Sequence, residues 1–132
     1  MTTKVCLSTL NSVTSRQVFE AAYSHMRLLK VAKTGGAYKY RLAVPGCREL
    51  LCDPIGAIME DSEYRAEFEG CPWRDLVERG VVPQAHWKLL DDLQFIHDMV
   101  PIEKWENFLR RVEANVDDTL DWTRYSKMFC RE

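Results

Sequence analysis

Residues 83–112, PQAHWKLLDDLQFIHDMVPIEKWENFLRRV, decide the fold. Pro83 opens a helix in which Leu89, Leu90, Leu93, Ile96 and His97 recur at the spacing of one helical face. Pro101 opens a second helix, with Ile102, Trp105, Phe108, Leu109 and Val112 turned inward. Only Met99 and Val100 stand between His97-Asp98 and Pro101, a gap that predicts an antiparallel helical pair. Its seam, formed by Leu93, Ile96, Trp105, Phe108 and Leu109, is the expected core. Beyond it, Trp122, Tyr125 and Phe129 predict a closing helix.

Upstream of that pair the signals are shorter. Thr14-x-x-Gln17 is a capping box, flanked by Val13 and Val18 as a hydrophobic staple. Val18, Ala22, Met26 and Leu29 follow on one face, and Thr34-Gly35-Gly36 stops the helix. Tyr38, Tyr40, Leu42 and Val44 alternate with Lys39, Arg41 and Ala43, which is strand periodicity. Val44-Pro45-Gly46-Cys47 reads as a type II turn, and residues 47–52 as the return strand of a hairpin. Asp53-Pro54 predicts a capped short helix with Ile55, Ile58 and Met59 inside. Asp61 is expected to cap a segment ending at Gly70. Pro72 opens another, with Trp73, Leu76 and Val77 inward and Gly80 after its end. The expected class is therefore α+β: a mostly helical single domain over residues 1–132, with one small antiparallel hairpin.

Composition sets the outer bounds. The chain has 132 residues, 46% hydrophobic and 29% charged, as an ordinary globular domain does. It holds no apolar run approaching about 18 residues, so no membrane partner is expected. Met1 to Cys6 lacks the apolar core of a signal peptide, which points to a soluble intracellular protein. The net charge of −2 conceals a division. Residues 1–48 carry eight basic groups and one acid, Glu20, a balance of +7; residues 49–132 carry ten basic and nineteen acidic groups, a balance of −9. The five cysteines, at 6, 47, 52, 71 and 130, form no Cys-x-x-Cys pair, so they are expected to be free thiols without zinc.

Three features carry chemistry. His97-Asp98 matches the dipeptide of the HD-class metal-dependent phosphohydrolases, with His86 upstream and Asp117, Asp118 and Asp121 downstream. Against it, the separations are short, and a histidine packed between helices explains the same residues. Asp91 and Asp92 stand near Gln94 and His97, but adjacent acids on a helix diverge by about 100°, so one of them should be solvated. No P-loop, Rossmann or nucleophile-elbow fingerprint is present. The reading of the residues therefore assigns no catalytic residue, no metal and no cofactor. The second feature is basic: Arg27, Lys30, Lys33, Lys39 and Arg41, with Tyr38 and Tyr40, would suit a phosphate-tracking patch. Cations at a helix C-terminus and on a polar strand face explain these equally well. The third is acidic. Residues 60–69 hold five acids and one base around an aromatic centre. Glu60, Asp61, Glu63, Tyr64, Glu67 and Glu69 are the candidate partner-binding residues, because such a face complements a basic groove on another protein. A solvated, solubilising face is the plainer alternative.

The order of these residues brings a resemblance with it. Tyr40-Arg41, Cys52, Ile55-Gly56-x-Ile58-Met59-x-Asp61-x-x-Tyr64 and Phe68-Glu69-Gly70 come first. Leu89-Leu90-x-x-Leu93-Gln94-x-Ile96-His97-Asp98, Trp105 and Leu109 follow. Together they resemble a loose group of small proteins carried by tailed bacteriophages and prophages, over residues 14–112. The chain departs from that pattern at Asp53-Pro54 and in a segment from Asp117 to Glu132. The resemblance brings no reaction with it. It implies an accessory protein in the cytoplasm of a bacterial host that binds a host protein or complex and alters its activity. Inhibition of a nucleic-acid-directed defence complex, as an anti-CRISPR-like protein would do, is one form of this. A small metal-dependent hydrolase using His97 and Asp98 is the alternative reading. A nucleic-acid-binding module using the basic half is the third, and the oligomeric state stays open.

Overall fold

A computed structural model describes residues 4–28, 40–42 and 51–126. Its centre is the helix α4, Trp87–Met99. Around it pack α1 (Ser15–Leu28), α2 (Pro54–Ile58), α3 (Trp73–Glu78) and α5 (Trp105–Glu113), each touching α4. Short 3-10 turns at Leu7–Ser12, Ala66–Phe68 and Ile102–Lys104 connect or precede these helices. Leu89, Leu90, Leu93 and Ile96 are fully buried, as their spacing predicts. So are the polar residues between them: Asp91, Asp92, Gln94 and His97 lie almost wholly out of solvent. Neither Asp91 nor Asp92 is solvated, contrary to the expectation, because α4 has neighbours on every side.

The expected α+β class is corrected. Among the described residues, strand conformation is confined to Arg41–Leu42 and Leu51–Cys52, two residues each, paired Arg41 to Cys52 and Leu42 to Leu51. This contact is too short to form a layer, and the fold is helical. Residues 43–50, which would have made the rest of the hairpin, lie outside the described residues, as do Tyr38 and Lys39. The apolar alternation has another cause at Tyr40. Its ring plugs a gap between helices, edge-on to Phe68 at 6.5 Å and to Trp73 at 6.3 Å. Its hydroxyl donates to the Cys71 carbonyl at 2.6 Å.

Local chemistry sets the helix ends. Thr14 and Gln17 form the expected capping box: the Gln17 side chain accepts from Thr14 N at 2.8 Å, and Thr14 Oγ1 accepts from Gln17 N at 3.1 Å. Asp53 caps α2 through Gly56 N at 2.6 Å, with Pro54 in the first helical position. Gly56 is required there by close approach: a Cβ would meet the Tyr40 carbonyl oxygen at 2.0 Å. α4 starts at Trp87 and not at Pro83, because His86 adopts a left-handed backbone with φ 60°. That twist carries the His86 ring to the Val13 carbonyl, to which Nε2 donates at 2.8 Å. At the other end, Trp105 Nε1 donates to the Val100 carbonyl at 2.8 Å and fixes the corner between α4 and α5. Leu93, Ile96, Trp105 and Leu109 are buried in that seam, while Phe108 is half-buried under the Arg111 guanidinium. The predicted last helix is absent over its described part. Residues 114–126 run through turns, and Tyr125 reaches the core by donating its hydroxyl to Asp92 at 2.7 Å. Phe129 lies outside the described residues.

Candidate functional site

Two acids of the stretch, Glu63 and Glu69, are turned toward the backbone, while Asp61 and Glu67 stand exposed. Glu63 accepts from Leu7 N at 3.0 Å, Ser8 N at 2.8 Å and Glu60 N at 2.8 Å, tying the first 3-10 turn to the 60–64 turn. Burial pulls the Glu63 carboxyl up, but these backbone donors outweigh it and hold it below the usual range. Glu69 accepts from Tyr40 N at 2.8 Å, Arg41 N at 3.1 Å and the Tyr64 hydroxyl at 2.5 Å. Burial and the Glu69 carboxylate push the Tyr64 phenol up to about 12. Arg41 lies 5.1 Å above the Tyr64 ring centre, donates to the Met59 carbonyl at 2.6 Å and pairs with Asp61 at 2.9 Å. Glu60 pairs with Lys4 at 2.9 Å at the surface. The expected capping role of Asp61 is therefore replaced by an ion pair. Of the six residues singled out for partner binding, five hold other parts of the chain, and Glu67 stands exposed.

Several residues of the 40–69 region meet in one knot. Tyr40-Arg41, Gly56, Met59, Asp61, Tyr64 and Glu69 touch one another directly. A second set lies deeper. Gln94 accepts from Trp73 N at 3.0 Å and donates to Asp53 Oδ2 at 3.4 Å, so one side chain ties α2, α3 and α4 together. Asp53 is fully buried, and desolvation, aided by the nearby Asp98 charge, raises its carboxyl well above the usual range.

The candidate hydrolase residues are spread out. His97 Nδ1 donates to Asp98 at 2.9 Å, with both side chains at most 4% accessible, and the His97 ring lies 5.5 Å from that of Trp105. His86 is committed to Val13, and desolvation lowers its imidazole below the ordinary value. Asp117 accepts from Thr119, Asp118 pairs with Arg16, and Asp121 accepts from Thr123. Among the described residues, no three His, Cys, Asp or Glu side chains converge as a metal site. Cys6, Cys52 and Cys71 are free thiols; Cys47 and Cys130 lie outside the described residues. Of the basic patch, Arg41 faces inward, while the Arg27 side chain, Lys30, Lys33 and Lys39 lie outside the described residues.

The surface beside the acidic knot is open. Arg65, Glu67, Phe68, Leu76, Arg79 and Val81 line a cleft of about 410 Å³. Phe68 and Leu76 are buried in its floor, and Val81 is 55% exposed at its edge. Gly80, at φ 73°, ends α3 and swings Val81 outward, while Val82 turns in and is buried. The sequence reading missed Arg65, Leu76, Arg79 and Val81 as site residues. No spacing rule announces them, because the turn at Gly80 decides that Val81 faces out and Val82 in. Among the described residues no helix is long and apolar enough to cross a membrane. No family model matches the chain, and neither the curated proteins nor the solved structures contain a match to it.

Proposed function

We propose that this chain is an accessory protein of the phage type that works by binding a protein partner and altering its activity. The observation that carries this reading is the cleft of about 410 Å³ at Arg65, Glu67, Phe68, Leu76, Arg79 and Val81. Its size falls within the range of ligand-binding clefts, about 300–1,000 Å³. An apolar floor under a charged rim is the arrangement that gives a binding surface both affinity and orientation. The contact surface is centred on the part of the acidic stretch where Glu67 joins the cleft. Glu63, Tyr64 and Glu69 support that surface through bonds to the backbone and to one another, and Glu60 and Asp61 through surface ion pairs.

The test is capture from a bacterial host lysate with wild type and Val81→Glu as paired baits. The reading expects a protein held by wild type and lost by the variant, with both baits equally folded by circular dichroism. Equal capture by the two baits would remove the cleft from the account.

A further inference from the structure

The composition of the cleft also defines what it takes. Phe68 and Leu76 form an apolar floor, and Val81 extends it to the rim. Two exposed guanidiniums, Arg65 and Arg79, stand on that rim. Neither lies within ion-pair distance of a carboxylate among the described residues, so both can meet one from outside. Arg79 is partly held in place, since Nη1 donates to Cys71 Sγ at 3.7 Å. Glu67 is the one acid of the lining, so the rim is positive by one charge.

Resting on the reading of the chain as a binding protein, we infer that the cleft receives an extended partner segment in which an apolar side chain is flanked by carboxylates. The apolar side chain packs on exposed Val81, above the already buried Phe68 and Leu76. The flanking acids meet Arg65 and Arg79, whose forked donors match carboxylates in two-bond geometry. Glu67 repels acid from its own side and so fixes the direction in which the segment lies. Arginine on the rim of an apolar pocket is the composition from which strong contact residues are drawn. A volume near the lower end of ligand clefts suits one or two anchoring side chains, not a folded face.

The experiment is a ¹⁵N chemical-shift titration of the full chain with three capped heptapeptides and with octanoate. The first peptide carries Leu and Phe between glutamates, the second the same residues between lysines, and the third glutamates with Gly and Ser only. Saturable shifts confined to residues 65–81 are expected with the first peptide alone. Its affinity should fall at least tenfold in Arg65→Glu/Arg79→Glu and weaken as salt rises. Should that variant fail to fold, Arg65→Gln/Arg79→Gln serves in its place. Equal binding of the lysine peptide would overturn the inference, as would octanoate binding as tightly as the first peptide. Absence of any shift would overturn it too. If Val81→Glu still loses its captured protein in that last case, the cleft binds a partner of other chemistry; if capture is unaffected as well, both readings fall.

Discussion

Single residues explain how two acids of a charged run, Glu63 and Glu69, hold the fold together. A carboxylate facing two or three backbone N–H groups is a strong acceptor, and such bonds are worth about 1.5–3 kcal/mol each when one partner is charged. Glu63 holds Leu7, Ser8 and Glu60 in this way. Glu63→Gln should lower stability by about 1–2 kcal/mol, the size of a lost helix cap, as measured by urea unfolding at pH 7. The pH dependence has a definite sign. The Glu63 carboxyl is depressed in the folded chain, so its contribution is complete above the ordinary value of 4.5 and is lost as pH falls through the folded one. Asp53 runs the other way. Its raised carboxyl means the folded state keeps the proton longer, so ionising it costs stability as pH climbs above 3.8. Asp53→Asn should therefore unfold with a flatter pH profile than wild type across the mildly acidic range. A parallel profile for the two would show that Asp53 titrates normally. Residue types were readable as charges in the sequence, but their direction was not. Residues 60–69 look like a face because their acids are dense, and the partners that hold Glu63 and Glu69 come from positions as distant as Leu7, Tyr40 and Arg41.

At the scale of elements, local signals were read well and long-range ones poorly. The Thr14–Gln17 box and the Asp53 cap are complete within three residues, and both form as expected. The seam between α4 and α5 follows from helical spacing, and Leu93, Ile96, Trp105 and Leu109 are buried in it. Leu93→Ala should cost about 2–5 kcal/mol, as removal of a fully packed leucine does. A loss under 1 kcal/mol in thermal or urea unfolding would mean that the seam is loosely packed. The α+β expectation failed because, among the described residues, strand pairing stops at Arg41–Leu42 with Leu51–Cys52, while Tyr40 is held by the helical core. What anchors Tyr40 is supplied by Glu69, Cys71 and the bare backbone of Gly56. Gly56→Ala sets a methyl against the Tyr40 carbonyl, and should cost at least about 1–3 kcal/mol by overpacking. Gln94 shows the same dependence on distant partners: its bonds to Trp73 and Asp53 span three helices, and no spacing rule announces them.

Across the whole molecule, the knot around Tyr40 and the core of α4 build the fold, and the cleft lies beside them. The sequence reading identified the region, since Glu67 and Phe68 belong to both the acidic stretch and the cleft. It did not identify the cleft, because Leu76 reaches it from α3, Arg79 from the cap of that helix, and Val81 through the turn at Gly80. This division of labour separates two acids that stand two positions apart. Glu69 bonds Tyr40 N, Arg41 N and the Tyr64 hydroxyl, while Glu67 is exposed on the cleft rim. The most direct measurement is therefore equilibrium urea unfolding of Glu69→Gln and Glu67→Gln beside wild type. The account predicts a loss of about 1.5–3 kcal/mol for Glu69→Gln, from charged hydrogen bonds broken inside the knot. It predicts a change within about 0.5 kcal/mol for Glu67→Gln, as for an ordinary surface position. Equal stabilities for the two variants would contradict it, and would show that Glu69 holds the fold no more than an exposed acid does.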